Sequence, residues 1–105
     1  MRYCIQVYQN DGKSFFSDWF DDLDPATAAR VDRHIRRLET GNFGSAKALS
    51  GGLFELRMHF GPGYRVYYGI DGATLIVLLG GGDKHRQSAD ISAARERWDQ
   101  YLKVK

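Results

Sequence analysis

Two short segments of the chain carry basic side chains at alternating positions. In LFELRMHF, Arg57 and His59 alternate with apolar residues, and in YRVYYGI, Arg65 and Tyr67 do the same. Side chains two positions apart on a strand lie on the same face of a sheet. The Gly-Pro-Gly sequence between the segments predicts a tight turn. We therefore expect these four side chains to share one polar face of two paired strands.

A further cation follows the next apolar segment, in the stretch LLGGGDKHRQ. Lys84 comes directly after three glycines, where the predicted strand ends. The stretch does not match a phosphate-binding P-loop, which needs Gly-Lys-Ser/Thr opening a helix. It lies outside any βαβ unit, so a dinucleotide site is not indicated either. Polar neighbours extend the candidate site around Lys84: Asp83, His85, Arg86 and Gln87.

Arginine and lysine side chains that converge on rigid strands suit a phosphodiester, because guanidinium groups pair with phosphate oxygens and aromatic rings offer a stacking face. They also suit RNA cleavage in which a 2′-hydroxyl attacks the adjacent phosphate. That reaction needs a base, stabilisation of the phosphorane charge and a proton for the leaving oxygen. His59 and His85 are candidate proton-transfer groups. A solvated polar face with ordinary surface cations explains the same pattern equally well.

Composition limits the alternatives. The 105 residues predict a single domain spanning 1–105, and the net charge of +2 requires any polyanion site to arise from local clustering. The histidines lack metal-ligand spacing with Cys4, so we expect no metal and no cofactor. No apolar run is long enough to span a membrane. The single cysteine and the absence of a secretory pattern indicate the cytoplasm.

The elements that must position these groups can be predicted from hydrophobic periodicity. A strand in residues 2–9 precedes a short helix with aromatic residues at helical spacing. Asp24-Pro25 begins a second helix ending near Thr40, and residues 41–52 are expected to form a loop. Three strands and a helix from Ser88 to about Lys103 follow. The prediction is an α+β fold of order β-α-α-β-β-β-α, with an antiparallel meander, two N-terminal helices on one face and a C-terminal helix.

This order, with GGLFELRMHFGPGYRVYYG and LLGGGDKHRQSADISAARERWDQYL, resembles the RelE/ParE superfamily of toxins from type II toxin–antitoxin systems. It looks closest to the HigB-like branch of addiction-module killer proteins. The resemblance implies an endoribonuclease that cuts messenger RNA on the ribosome without a metal. By motif, Arg57, Arg65 and Lys84 would be catalytic. Asp83 and Gln87 fall in the Gly-Asp-Lys-x-x-Gln pattern of the HigB-like branch.

The resemblance also implies partners: the ribosome with its messenger RNA, and a cognate antitoxin, a small helix-turn-helix (HigA-like) protein that neutralises the toxin in a hetero-oligomer. Two alternatives stay open. One is a ParE-like toxin that poisons DNA gyrase by binding, and the other is a catalytically inactive relative. Under the preferred interpretation, Gly80, Gly81 and Gly82 keep bulk away from the backbone so that RNA or an antitoxin segment can approach closely.

Overall fold

The computed structural model describes residues 2–105, and its elements follow the predicted order with one addition. The strands are β1 (Cys4–Val7), β2 (Ser45–Ala48), β3 (Leu53–Met58), β4 (Tyr64–Asp71) and β5 (Leu75–Asp83). The helices are α1 (Phe15–Asp21), α2 (Pro25–Glu39) and α3 (Gln87–Val104), with a 3₁₀ turn at Lys84–Arg86. Asp24 caps α2 as predicted, because its carboxylate accepts a hydrogen bond from the Thr27 amide at 3.2 Å.

The α+β class is confirmed, and the sheet is larger than the predicted meander. Its five strands lie in the order β1-β5-β4-β3-β2. The β3–β4–β5 meander is antiparallel, but β1 pairs in parallel with β5, so the sheet is mixed. The prediction of a loop over residues 41–52 is wrong at Ser45–Ala48, which forms an exposed edge strand on β3. Its two alanines and its lysine are residue types depleted in strands, so pairing with β3 decides its conformation.

Helices cover both faces of the sheet. Val31, Ile35 and Leu38 of α2 pack with α1 against one face, as predicted for the N-terminal helices. Ala94 and Trp98 of α3 pack against the other face. No helix among residues 2–105 is long and apolar enough to cross a bilayer. α3 covers the centre of the face predicted to be polar, and the end of that face that carries Arg57 and Arg65 stays partly exposed.

The three glycines of the opening stretch belong to β5 and are not an exposed approach surface. A Cβ on Gly81 would lie 2.2 Å from Trp19 of α1. Cβ atoms on Gly80 and Gly82 would meet Arg97 at 2.6 Å and Asp90 at 2.1 Å, both on α3. The prediction that RNA or an antitoxin segment approaches this backbone is therefore wrong, because the protein's own helices occupy the space.

Candidate active site

Strand pairing brings the predicted basic residues to one end of the sheet. Arg57 of β3 lies directly opposite Arg65 of β4, and Arg65 pairs in turn with Gly82 of β5. Like charges placed directly opposite each other on neighbouring strands repel. A compensating group is therefore required if both arginines are to stay at this position.

That group is Glu55, a completely buried glutamate that the sequence analysis did not select. Its Oε1 accepts a hydrogen bond from Arg57 Nε at 2.8 Å, and its Oε2 lies 3.4 Å from Arg65 Nε. Gln87 Nε2 donates to the same Oε2 at 2.9 Å. A buried carboxylate is tolerated when it is paired and hydrogen-bonded, and this one has both kinds of partner.

The contacts to Glu55 leave donors of the guanidinium groups available. Both arginines face Glu55 through Nε, and Arg65 Nη1 also donates to the Gly63 carbonyl at 3.2 Å. An arginine carries five N–H donors, so the remaining Nη donors can pair with an external anion. Glu55 therefore holds the two guanidinium groups side by side without using up their phosphate-binding capacity.

Lys84 joins the arginines through the start of the 3₁₀ turn. Asp83 caps this turn, since its carboxylate accepts a hydrogen bond from the His85 amide at 2.9 Å. Gly63, in the left-handed region with φ of +84°, lies beneath both cations. A Cβ there would lie 3.6 Å from Lys84 Cδ and 3.7 Å from Arg65 Nη1. These distances are ordinary van der Waals contacts, so the positive φ, and not a lack of space, favours glycine at position 63, against which both cations pack.

Arg57, Arg65 and Lys84 line one open cavity of about 340 Å³. Its charged and titratable lining residues are Arg57, His59, Tyr64, Arg65 and Lys84. The three cations come from three different segments: β3, β4 and the 3₁₀ turn. Within residues 2–105, no group of three or more His, Cys, Asp or Glu side chains is arranged to hold a metal ion.

Several predicted supporting residues lie elsewhere. Tyr67 is 1 % exposed and packs in the cluster beneath α3, so it offers no stacking face. Burial, followed by the charge of Glu55, raises the pKa of Tyr67, and its hydroxyl stays protonated at neutral pH. His85 is held by Asp83 at 3.2 Å outside the cavity. Arg86 lines a separate hollow of about 200 Å³ near Trp19.

Gln87 has a structural task in this arrangement. It begins α3 and reaches Glu55, 32 residues earlier in the chain, so it fixes the start of the last helix to β3. Asp83 likewise shapes the turn and does not line the cavity. The Gly-Asp-Lys-x-x-Gln pattern thus contributes one cation to the cavity and two groups that position it.

Glu55 and the residues of α2 were not among the predicted site residues. Glu55 shares the period-two face of Arg57, and that spacing was the signal available for it. Arg30, His34 and Arg37 of α2 line a second cavity that shares Arg57 with the first. The position of α2 beside β3 could not be predicted from the sequence, because that contact depends on the packing of the helix on the sheet.

Comparison with known proteins supports the resemblance drawn from the motifs. A protein of Haemophilus influenzae, described as an uncharacterized protein, is 43% identical over 81 residues, which cover 76% of this chain and 82% of that protein. Residues 18–99 match the family described as phage derived protein Gp49-like (DUF891). The match includes β2 to β5 and all the charged residues that line both cavities. The chain belongs to this Gp49-like family, a family of toxins that resemble RelE and the addiction-module killer proteins.

Proposed function

We propose that this chain is a HigB-like toxin of a type II toxin–antitoxin system, acting as a ribosome-dependent endoribonuclease that needs no metal. One observation carries the proposal: Arg57, Arg65, Lys84 and His59 line a single open cavity at the end of the sheet. Membership of the Gp49-like family suggests a toxin with an antitoxin partner. A small helix-turn-helix (HigA-like) antitoxin and the ribosome with its messenger RNA are the partners we propose.

The cavity contains what cleavage by an internal 2′-hydroxyl requires. The 2′-oxygen bonds to the adjacent phosphorus, the bond from phosphorus to the 5′-oxygen breaks, and a 2′,3′-cyclic phosphate and a 5′-hydroxyl result. The Nη donors of Arg57 and Arg65 stabilise the negative charge on the non-bridging oxygens. One proton leaves the 2′-hydroxyl and one is given to the 5′-oxygen. We assign these transfers to His59 and Lys84, which line the cavity together with Tyr64.

Mapping of 5′ ends in cellular messages after induction tests the proposal. We expect wild type to cut translated messages at codon-defined positions, and Arg65→Ala or Lys84→Ala to lose about 10²–10³-fold in cleavage rate, as for removal of one transition-state donor. Lys103→Ala is the matched control, because this exposed lysine of α3 lies outside the cavity. Circular dichroism confirms that each variant is folded.

Two results would contradict the proposal. Gyrase-linked DNA breaks with intact messages would indicate the ParE-like alternative. Expression without growth arrest or message cleavage would indicate an inactive relative. Cutting that is equally strong in wild type and Arg65→Ala would refute the assignment of the arginine.

A further inference from the structure

A second open cavity, of about 360 Å³, adjoins the proposed cleavage cavity. It lies between α2, the segment leading into β2, and the end of β3. The two cavities share Arg57, His59 and Phe60 as lining residues. A chain molecule that passes through one cavity can therefore continue directly into the other.

The α2 wall of this cavity is cationic. Arg30, His34 and Arg37 lie three and four residues apart and so occupy one side of the helix. Within residues 2–105, neither Arg30 nor Arg37 has a carboxylate within 4 Å. Arg36 differs, because its guanidinium group is within 3.5 Å of Asp32 and 3.1 Å of Glu39. The arginines that face the cavity thus remain available to an external anion.

Aromatic packing orients part of this wall. The Arg30 guanidinium carbon lies 3.9 Å from the centroid of the Phe60 ring. The His34 ring is stacked on Phe60 with centroids 6.0 Å apart and an interplanar angle of 17°. Stacking on an aromatic ring limits the freedom of a guanidinium group and leaves its N–H edge free to donate. Ser45 adds a hydroxyl group to the lining.

The pKa of His34 is sensitive to the charges around this cavity. Burial lowers its pKa, and the nearby positive charges of Arg37, Arg30 and Arg33 lower it further. Arg57 of β3 and His59, which follows the end of β3, line the same cavity and add no negative charge. An anion bound beside His34 would favour the imidazolium form and raise this pKa.

We propose that the cavity formed by Arg30, His34 and Arg37 binds a second phosphate of the same RNA strand that enters the cleavage cavity. This inference rests on the proposed function and extends it, because it makes the substrate a single strand of several nucleotides. The shared wall favours RNA over an acidic protein segment. A strand held at Arg57 must place its neighbouring phosphates close by, whereas an acidic peptide needs no continuity with that cavity.

The test measures binding without cleavage. Fluorescence anisotropy is recorded with a labelled dinucleotide and a labelled hexanucleotide, both fully 2′-deoxy so that no 2′-hydroxyl can attack. We expect Arg37→Gln to weaken hexanucleotide binding by roughly 5–10-fold and to leave dinucleotide binding unchanged. The slope of log affinity against log salt concentration should fall by about 0.7, the value for one single-strand phosphate contact. Arg36→Gln is the matched control, since it removes the same charge from the adjacent position outside the cavity.

Equal effects of Arg37→Gln and Arg36→Gln on hexanucleotide binding would overturn the inference. An acidic decapeptide is titrated in the same way. If Arg37→Gln weakens binding of the decapeptide but not of the hexanucleotide, the inference is also overturned, because the cavity would then belong to the antitoxin. NMR titration of His34 adds an independent measure, and its pKa should rise when the hexanucleotide binds. The two proposals can fail separately. If messages are not cleaved but hexanucleotide binding depends on Arg37, only the nuclease function is contradicted. If messages are cleaved but Arg37→Gln leaves hexanucleotide binding unchanged, only the second phosphate site is contradicted.

Discussion

Replacing Glu55 with glutamine tests whether the paired arginines depend on one buried carboxylate. The substitution keeps the size of the side chain and removes its charge. In the wild type, the two Glu55 oxygens accept hydrogen bonds from Arg57 Nε at 2.8 Å and from Gln87 Nε2 at 2.9 Å. A glutamine amide has one oxygen and one NH₂ group, so one of these donors must then face another donor.

The expected loss follows from the partners and their burial. A hydrogen bond to a charged group contributes about 1.5–3 kcal/mol, and breaking a buried ion pair costs about 3–5 kcal/mol. The side chains of Arg57 and Arg65 are 33% and 14% exposed, so water can solvate them in part when the carboxylate is removed. This solvation reduces the cost of breaking the ion pair. We expect Glu55→Gln to lower the free energy of unfolding by about 2–3 kcal/mol, which lowers the Tm by roughly 10–20 °C in a domain of this size.

Urea unfolding followed by tryptophan fluorescence measures the effect on stability. Glu96→Gln is the matched control, because it removes the same charge from an exposed position of α3. We expect the control to change the free energy of unfolding by less than about 0.5 kcal/mol. A loss for Glu55→Gln no larger than that of the control would refute the role of Glu55 in stability.

A double-mutant cycle separates positioning from stability. If Glu55 acts on the reaction by holding Arg65, the loss of message cleavage in Glu55→Gln and in Arg65→Ala should not add in the double variant. The cleavage rate is compared at a temperature where all four proteins are folded. Fully additive losses would show that Glu55 does not act through Arg65.

Two further predictions concern packing and pH. Gly81→Ala should destabilise the protein by about 1–3 kcal/mol in urea unfolding, because the new methyl would lie 2.2 Å from Trp19. Gly80→Ala should cost less, since its methyl meets the guanidinium end of Arg97, which can move away at the cost of its hydrogen bond to the Leu79 carbonyl, and equal losses would contradict this account. Hydrogen bonds from Lys105 and from a tyrosine of α3 lower the pKa of Asp71 below its usual value of 3.8. The stability that its carboxylate contributes is therefore present above that pH and lost below it, so Asp71→Asn should lower the Tm at pH 7 and have little effect near pH 2.

The sequence by itself determined the local elements and the faces of the central strands. A period of two fixes which side chains of β3 and β4 lie together, so Arg57 and Arg65 could be assigned to one face before the structure was known. The Asp24-Pro25 pair likewise predicted the start of α2, because capping depends on residues within one helical turn. These features are local, and local chemistry is sufficient to specify them.

The tertiary structure decided what surrounds those faces. Glu55 is a buried partner of the arginines, and Gln87, 32 residues later, donates to the same carboxylate. The contribution of Arg37 depends on how α2 lies against the end of β3. Gly81 illustrates the same limit: sequence indicated a close approach there, and the fold shows that Trp19 makes it. Contacts between segments distant in the chain depend on how helices pack on the sheet, and no local pattern of residues encodes that packing.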